Sequence, residues 1–560
     1  MTDTPLDIDV LIIGAGINGA GLFRDLCAQG LKVAIIDKAD FGSGTSAAPS
    51  RLIHGGIKYL ETGEFRLVAQ STLERNLLLR NAPHAVRPLE TVIPIFSWFT
   101  GIGAALRTLF GSTTAPRSRG AVLIRIGLAL YDFYGARHRV MPRHQFWSKA
   151  RALQEIPPLT PSIVAAGAYY DATVTQPERL VLELIQDGLR ESPGSQAWNY
   201  AALAGTDGKT VDVTLPDGGR RRFAPRLVVN AAGPWIDKVN AALGVPSRLI
   251  GGTKGSHILL DHPELLGALA GRMIYFEAND GRICLVYDYL GRALVGSTDI
   301  RAADPDAVRC EDDEVDYFIA SLRGLLPKLV FDRSQIVYAY SGIRPLPASD
   351  GTAPGLISRD HSAPVLEPEG GRSWPIVSLV GGKWTTFRGF AEEVADAVLN
   401  RLGQSRRIST RQLPIGGGRD FPADAAARTR WITDAARSTG LSAARAETLL
   451  DRYGTRAASI LAHEAAHPAA TLADAADYTL AEIDWLVRNE RVVHLADIVM
   501  RRTALAVTGR LSRRDLEAIA EVAAAVLGWS ASQRQSEIER TASELASRHR
   551  LRSAAENAVS

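Results

Sequence analysis

Residues 9–38, DVLIIGAGINGAGLFRDLCAQGLKVAIIDK, constrain the fold of this chain more than any other stretch. The apolar run Val10 to Ile13 is predicted as a buried strand, and it breaks into Gly14, Gly16 and Gly19, the spacing that opens a dinucleotide-binding helix. Gly14 permits the tight turn, Gly16 lets backbone approach a pyrophosphate, and Gly19 allows close contact of helix with strand. The helix N-terminus then offers unpaired N–H groups and a partial positive charge to an anion. Gly30 ends the helix, and Leu31 to Ile36 forms a second buried strand that finishes at Asp37, an acid placed to accept from a ribose hydroxyl. The combination predicts an α/β nucleotide-binding unit.

Composition limits what surrounds that unit. A chain of 560 residues, 46% hydrophobic, can bury a large core and form more than one domain. The 64 basic and 61 acidic residues nearly cancel, so no overall field points to nucleic acid. Cys27, Cys284 and Cys310 have no C-x-x-C spacing, which argues against disulfides, zinc or an iron-sulfur cluster, and no metal is expected. The polar N-terminus leads straight into the first strand, so no signal peptide is expected.

No run of eighteen uncharged apolar residues predicts a spanning helix. Residues 92–110, VIPIFSWFTGIGAALRTLF, carry one charge, Arg107, and AVLIRIGLALYDFYG follows after a polar gap holding Arg117 and Arg119. Two readings stay open for residues 92–134: a core helix with a loop, or a membrane-interface segment in which Trp98, Phe99 and Phe110 meet the headgroup level beside arginines.

The texture changes near residue 400. Before it, β-rich runs such as RICLVYDYLGRALVGSTDI (282–300) alternate with Gly and Pro turns, suggesting a mixed sheet inserted between nucleotide-binding pieces. After LPIGGGRDFPAD (413–424) the chain is rich in Ala, Arg and Glu at helical spacing. The division predicted is therefore 1–400, a discontinuous nucleotide-binding domain with an interleaved substrate domain, and 401–560, an all-helical domain.

Two late stretches favour FAD over a nicotinamide. RLVVNAAGPWID (226–237) is a strand running into Ala231, Ala232 and Gly233, small enough for backbone to pass close to a flat ligand. VSLVGGKWTTFRGFAEEVADAV (377–398) repeats strand, Gly381-Gly382 and helix, and that helix end with Lys383 suits the negative charge of a reduced isoalloxazine.

The stretch SGTSAAPSRLIHGGIKYLE, residues 43–61, resembles the FAD-dependent glycerol-3-phosphate dehydrogenases, whose pattern there is close to T-S-x-x-S-S-K-L-I-H-G-G-L-R-Y-L-E. The likeness continues through EFRLV (64–68), NAAGPW (230–235), KGSHI (254–258), GSTD (296–299), SGIRPL (341–346), SRD (358–360), GGKWTTFR (381–388) and EIDWLVRNERVVHLADIVMRRTALA (482–506). The resemblance implies oxidation of sn-glycerol 3-phosphate to dihydroxyacetone phosphate. Hydride passes from C2 to flavin N5, and electrons then reach a quinone from a cytoplasmic protein peripheral on the inner membrane. Carried over by motif, Lys58, Tyr59, Arg344 and Arg359 bind substrate, and His257, Arg344 and Lys383 are catalytic. The resemblance also places Thr45, Ser46, His54, Gly233, Gly382, Lys383 and Thr385 on the FAD.

Those residue types suit the chemistry. A phosphate dianion needs cations, a developing alkoxide needs a fixed donor such as Arg344, and His257 can take the hydroxyl proton near neutral pH. Arg51 stands where the family has Lys and Lys58 where it has Arg, while Gln176-Pro177-Glu178 replaces an acidic pair. A related polyol phosphate such as a tetritol phosphate therefore stays open as substrate, and oxygen stays open as acceptor. A flavin-binding protein without catalysis would lack the site charges, yet Lys58, His257, Arg344 and Lys383 are all present. Monomer and homodimer both stay open.

Overall fold

The computed structural model describes residues 4–60, 63–100, 120–135, 140–278, 280–302, 304–349 and 360–552, with Lys58 described in its backbone only. Val10 to Ile13 are almost fully buried, as an apolar run covered on both faces requires, and they belong to the strand Leu6–Ile13. This strand pairs in parallel with Val33–Ile36 on one side and Arg220–Asn230 on the other, and Arg220–Asn230 pairs in parallel with Ile376–Ser378. The register aligns Ile13 with Ile36 and Asn230, and Asn230 with Ser378. Three separate glycine-bearing turns, after Ile13, Asn230 and Ser378, thus open along one carboxyl edge of the sheet, where ligands of open parallel sheets bind. Helices Ile17–Ala28, Pro177–Glu191 and Phe387–Arg401 cover one face in a shared apolar core.

A second, ten-stranded sheet is threaded through the first in sequence and is antiparallel except where Met273–Glu277 meets Val86–Ile95. Its longest pair, toward one edge, is Ile250–Leu260 against Ile336–Pro347. Alternation of side chains splits its two faces. Ile258, Leu260 and Val286 pack under the helices Pro263–Leu269 and Asp312–Leu325, whereas Leu259, Tyr287 and Tyr338 pack against the C-terminal helices.

The C-terminal helices follow their capping residues. Asp424, Ser442, Thr479, Ser512 and Ser530 each accept a first-turn amide with the side chain at the start of Ala425–Thr439, Ala443–Tyr453, Leu480–Asn489, Arg513–Leu527 and Ala531–His549. A π turn at Ile498–Arg502 turns both arginines inward, where Arg501 and Arg502 clasp Asp40 at 2.6 and 2.7 Å.

The segment read as either core helix or membrane interface divides. Its start belongs to the strand Val86–Ile95. Residues 101–119, with Arg107, Phe110, Arg117 and Arg119, lie outside the described residues. Helix Ala121–Tyr134 buries Ala121, Ile124, Leu128 and Tyr131 against Val68, Ile95 and Tyr169. Its other face exposes Val122, Ile126, Leu130 and Phe133, and Trp98 and Phe99 are exposed beside its first turn. The core reading therefore describes one face only. Among the described residues no helix is long and apolar enough to cross a membrane.

Candidate active site

The first glycine turn is built by exclusion of side chains. Gly14 lies at φ +106°, and a Cβ there would come within 2.6 Å of the Ala231 backbone. A Cβ on Gly19 would stand 2.0 Å from the Gly14 carbonyl oxygen. At Gly16 only Ser46 Oγ is near, at 3.1 Å, and that hydroxyl accepts the Ile17 amide at 2.9 Å. Ser46 therefore caps the helix from a distant loop, and Thr45 donates to the Ile343 carbonyl, tying the same loop to the second sheet. Asp37 accepts the amides of Ala15 at 2.7 Å and Ala39 at 3.0 Å, so its first task is to hold the turn closed. Burial outweighs those amides and pushes its carboxyl up to about 6.

The turn's surroundings fit a flavin dinucleotide. The space at Gly233 (φ +55°) is open, and Gly381 and Gly382 take φ +74° and +88°. A Cβ on Gly382 would strike Asn18 Nδ2, whose partner atom Oδ1 is buried without a hydrogen bond among the described residues. A helix N-terminus, three side-chain-free turns and an orphaned amide oxygen thus share one edge. Thr385 sits in a single-turn 3-10 helix before Phe387–Arg401 and accepts the His54 amide at 3.2 Å.

The second sheet supplies the charged residues by the same device. A Cβ on Gly255 would lie 2.2 Å from the Arg344 guanidinium, and one on Gly296 would lie 2.1 Å from the His257 ring. Both glycines are empty so that these groups can lie flat on the sheet. Arg344 donates to Asp299 Oδ1 at 3.2 Å, Ser297 Oγ at 2.9 Å and the Thr298 carbonyl at 3.1 Å, so the GSTD stretch is its cradle. His257 stacks on Tyr340 at 4.8 Å, and its Nε2 lies 2.8 Å from Ser50 Oγ. Its Nδ1 is buried without a partner among the described residues. Burial first, then the charges of Arg344 and Arg51, hold the imidazole well below its ordinary range. The imidazole is thereby held neutral at pH 7.

A third group forms around Lys383, whose Nζ lies 4.1 Å over the Tyr59 ring and donates to Ser71 Oγ at 3.0 Å. Arg359 and the side chain of Lys58 lie outside the described residues. The loop 45–59 is common to all these groups, touching the helix cap through Ser46, His257 through Ser50 and Lys383 through Tyr59.

Sequence reasoning missed the meaning of two departures. Arg51, buried at φ +55°, pairs with Glu178 at 3.1 Å and donates to Tyr289 at 2.8 Å. The unusual cation and the unusual acid are therefore partners, and each accounts for the other. It also assigned no role to Ser50 and Asp299, although both lie inside quoted motifs, and it missed Tyr340, which precedes SGIRPL; the glycines of KGSHI and GSTD, over which Arg344 and His257 lie, were the available signal.

Comparison with known proteins bears on the family, the fold and the cofactor. Residues 9–397 match the FAD dependent oxidoreductase family and residues 408–534 match the C-terminal domain of alpha-glycerophosphate oxidase. A glycerol-3-phosphate dehydrogenase of Synechocystis sp. is 33% identical over 95% of both chains. A D-erythritol 1-phosphate dehydrogenase of Brucella abortus is 30% identical over 89% of this chain and 94% of that one. The crystal structure of the glycerol-3-phosphate dehydrogenase from Bacillus halodurans, complexed with FAD, superposes with a TM-score of 0.73 at 22% identity, over 98% of this chain and 95% of that one. The chain belongs to the FAD-dependent oxidoreductases of the glycerol-3-phosphate dehydrogenase kind, and its cofactor is FAD.

Proposed function

We propose that the protein oxidises sn-glycerol 3-phosphate to dihydroxyacetone phosphate and passes the electrons to a membrane quinone. FAD, when bound, supplies the hydride acceptor for C2. Arg344 stabilises the developing alkoxide, and neutral His257 receives the hydroxyl proton. A weak base is workable there because Arg344, which adds to burial in depressing the imidazole, also makes the alcohol more acidic. Lys58, Tyr59, Arg359 and Lys383 take the phosphate end and the flavin side. The observation that carries this reading is the pairing of Arg344 with a neutral His257, each lodged over a glycine of the second sheet.

A tetritol phosphate is the second reading, favoured by the Brucella relative's substrate and by Lys58 standing where the resembled family has Arg. Dye-linked turnover of glycerol 3-phosphate, erythritol phosphates and glycerol separates them. The highest kcat/KM belongs to glycerol 3-phosphate on the first reading and to an erythritol phosphate on the second, while equal turnover of glycerol would contradict both. Replacing dye with a quinone analogue or with air decides the acceptor, and rapid peroxide release would make the protein an oxidase.

For quinone access we place the apolar face of Ala121–Tyr134, with Trp98 and Phe99, on the cytoplasmic surface of the inner membrane. A helix apolar on both faces and half exposed is unlike an ordinary surface helix. Arg125 on its exposed side can meet lipid phosphate.

A further inference from the structure

Helix Ala121–Tyr134 lies on the surface, yet one of its side chains reaches the loop that forms the active site. The Gly55 amide donates to Tyr131 Oη at 2.8 Å and to Asp171 Oδ1 at 3.0 Å. Arg75 Nη1 donates to the same phenol oxygen at 2.8 Å and to Asp171 at 3.1 Å, and the phenol itself donates to Asp171 in a short contact. The oxygen thus accepts two N–H bonds and gives one, which uses its full capacity. Close approach is enforced, since a Cβ on Gly55 would stand 2.4 Å from this oxygen and 2.6 Å from Thr72.

The next residue continues the chain of contacts. Gly56 lies at φ +77°, with the Tyr59 ring where its Cβ would be and Lys383 Nζ 3.3 Å from that point. On its other side the turn is pinned by Thr385 through the His54 amide. A displacement of Tyr131 therefore moves the turn that sets Tyr59 under Lys383. Tyr169 makes an instructive contrast: its ring meets Tyr131 edge-on at 5.4 Å and it bonds to Asp171, but it has no bond to Gly55.

We propose that Tyr131 is a positioning residue, fixing the Gly55–Gly56 turn and through it the Tyr59–Lys383 pair according to where the surface helix sits. The kinetic part of its test rests on the substrate reading above; the exchange part does not.

The test uses the holoenzyme with Tyr131→Phe and, as control, Tyr169→Phe. In Tyr131→Phe, hydrogen exchange of the Gly55 to Tyr59 amides should quicken about tenfold. KM for glycerol 3-phosphate with a soluble dye should rise about tenfold with kcat little changed, a loss of binding geometry rather than of chemistry. FAD content should equal that of the wild type, and Tyr169→Phe should leave both readouts unmoved. Unchanged exchange at Gly55 in Tyr131→Phe, or the same effects from Tyr169→Phe, would overturn the proposal. Should no polyol phosphate reduce the wild type, the substrate reading fails and exchange alone decides. If Tyr131→Phe fails to fold, exchange in the wild type takes its place: under mild denaturant the amides of Gly55 and of Tyr131 to Gly135 should open as one unit, and separate openings would overturn the link.

Discussion

Arg344 can present a planar fork only because Gly255 leaves its space empty and three oxygens of residues 297–299 hold it there. Arg344→Lys keeps the charge but cannot make that set of bonds. It should cost roughly 1.5 to 3 kcal/mol of transition-state binding, about tenfold to a hundredfold in kcat/KM, with FAD content unchanged. Gly255→Ala should give the same phenotype without touching any charge, measured in the same assay. His257 adds a pH signature. Its folded pKa lies below the unfolded value, so the unfolded state binds more protons as pH falls, and stability is lost below about 6.5 by up to about 1.4 kcal/mol per pH unit. Urea unfolding at pH 7.5 and 5.5 should therefore separate wild type from His257→Gln, whose loss on acidification is smaller. Motif reading reached these charged residues and the GSTD stretch but not their pairing, because Arg344 meets residues 297–299, and His257 meets Ser50 and Tyr340, only through the folding of distant segments.

The glycine turns were legible as elements because a backbone that must pass without a Cβ leaves glycine in the sequence whatever the rest of the fold does. Their convergence was not legible, since it depends on parallel pairing of strands more than two hundred residues apart, Leu6–Ile13 with Arg220–Asn230. The cap on helix Ile17–Ala28 was hidden for the same reason: Ser46 lies 29 positions from the amide that it accepts. Ser46→Ala should lower stability by about 1 kcal/mol and weaken FAD retention on dialysis, whereas Ser43→Ala, whose hydroxyl donates to the Asp40 carbonyl, should leave the flavin in place. The apolar helix face has its own test. Trp98→Ser with Phe99→Ser should reduce co-sedimentation with anionic vesicles and slow quinone reduction while dye-linked turnover stays at the wild-type level; unaltered sedimentation would move the contact elsewhere.

Across the whole molecule the two matched regions are locked together rather than tethered. Asp40 is fully buried between Arg501 and Arg502, which hold its carboxyl well below the usual range despite burial, and Arg179 pairs with buried Glu490 at 2.8 Å. The helical domain also covers Leu259, Tyr287 and Tyr338 on the second sheet. A boundary drawn from composition near residue 400 thus marks a change of texture, and a fragment of residues 1–400 should be insoluble because that face would meet water. Texture was legible; the interlock was not, since isolated arginines in an Arg-rich helix look solvated until their partner is placed. On the proposed function the two sheets serve one purpose: a cationic site on the second would present a polyol phosphate to the flavin edge of the first. The most direct test is anaerobic titration of the yellow holoenzyme with glycerol 3-phosphate. Stoichiometric bleaching with equimolar dihydroxyacetone phosphate, and none with glycerol, is the expected result; a flavin that stays oxidised under excess of every polyol phosphate would contradict it.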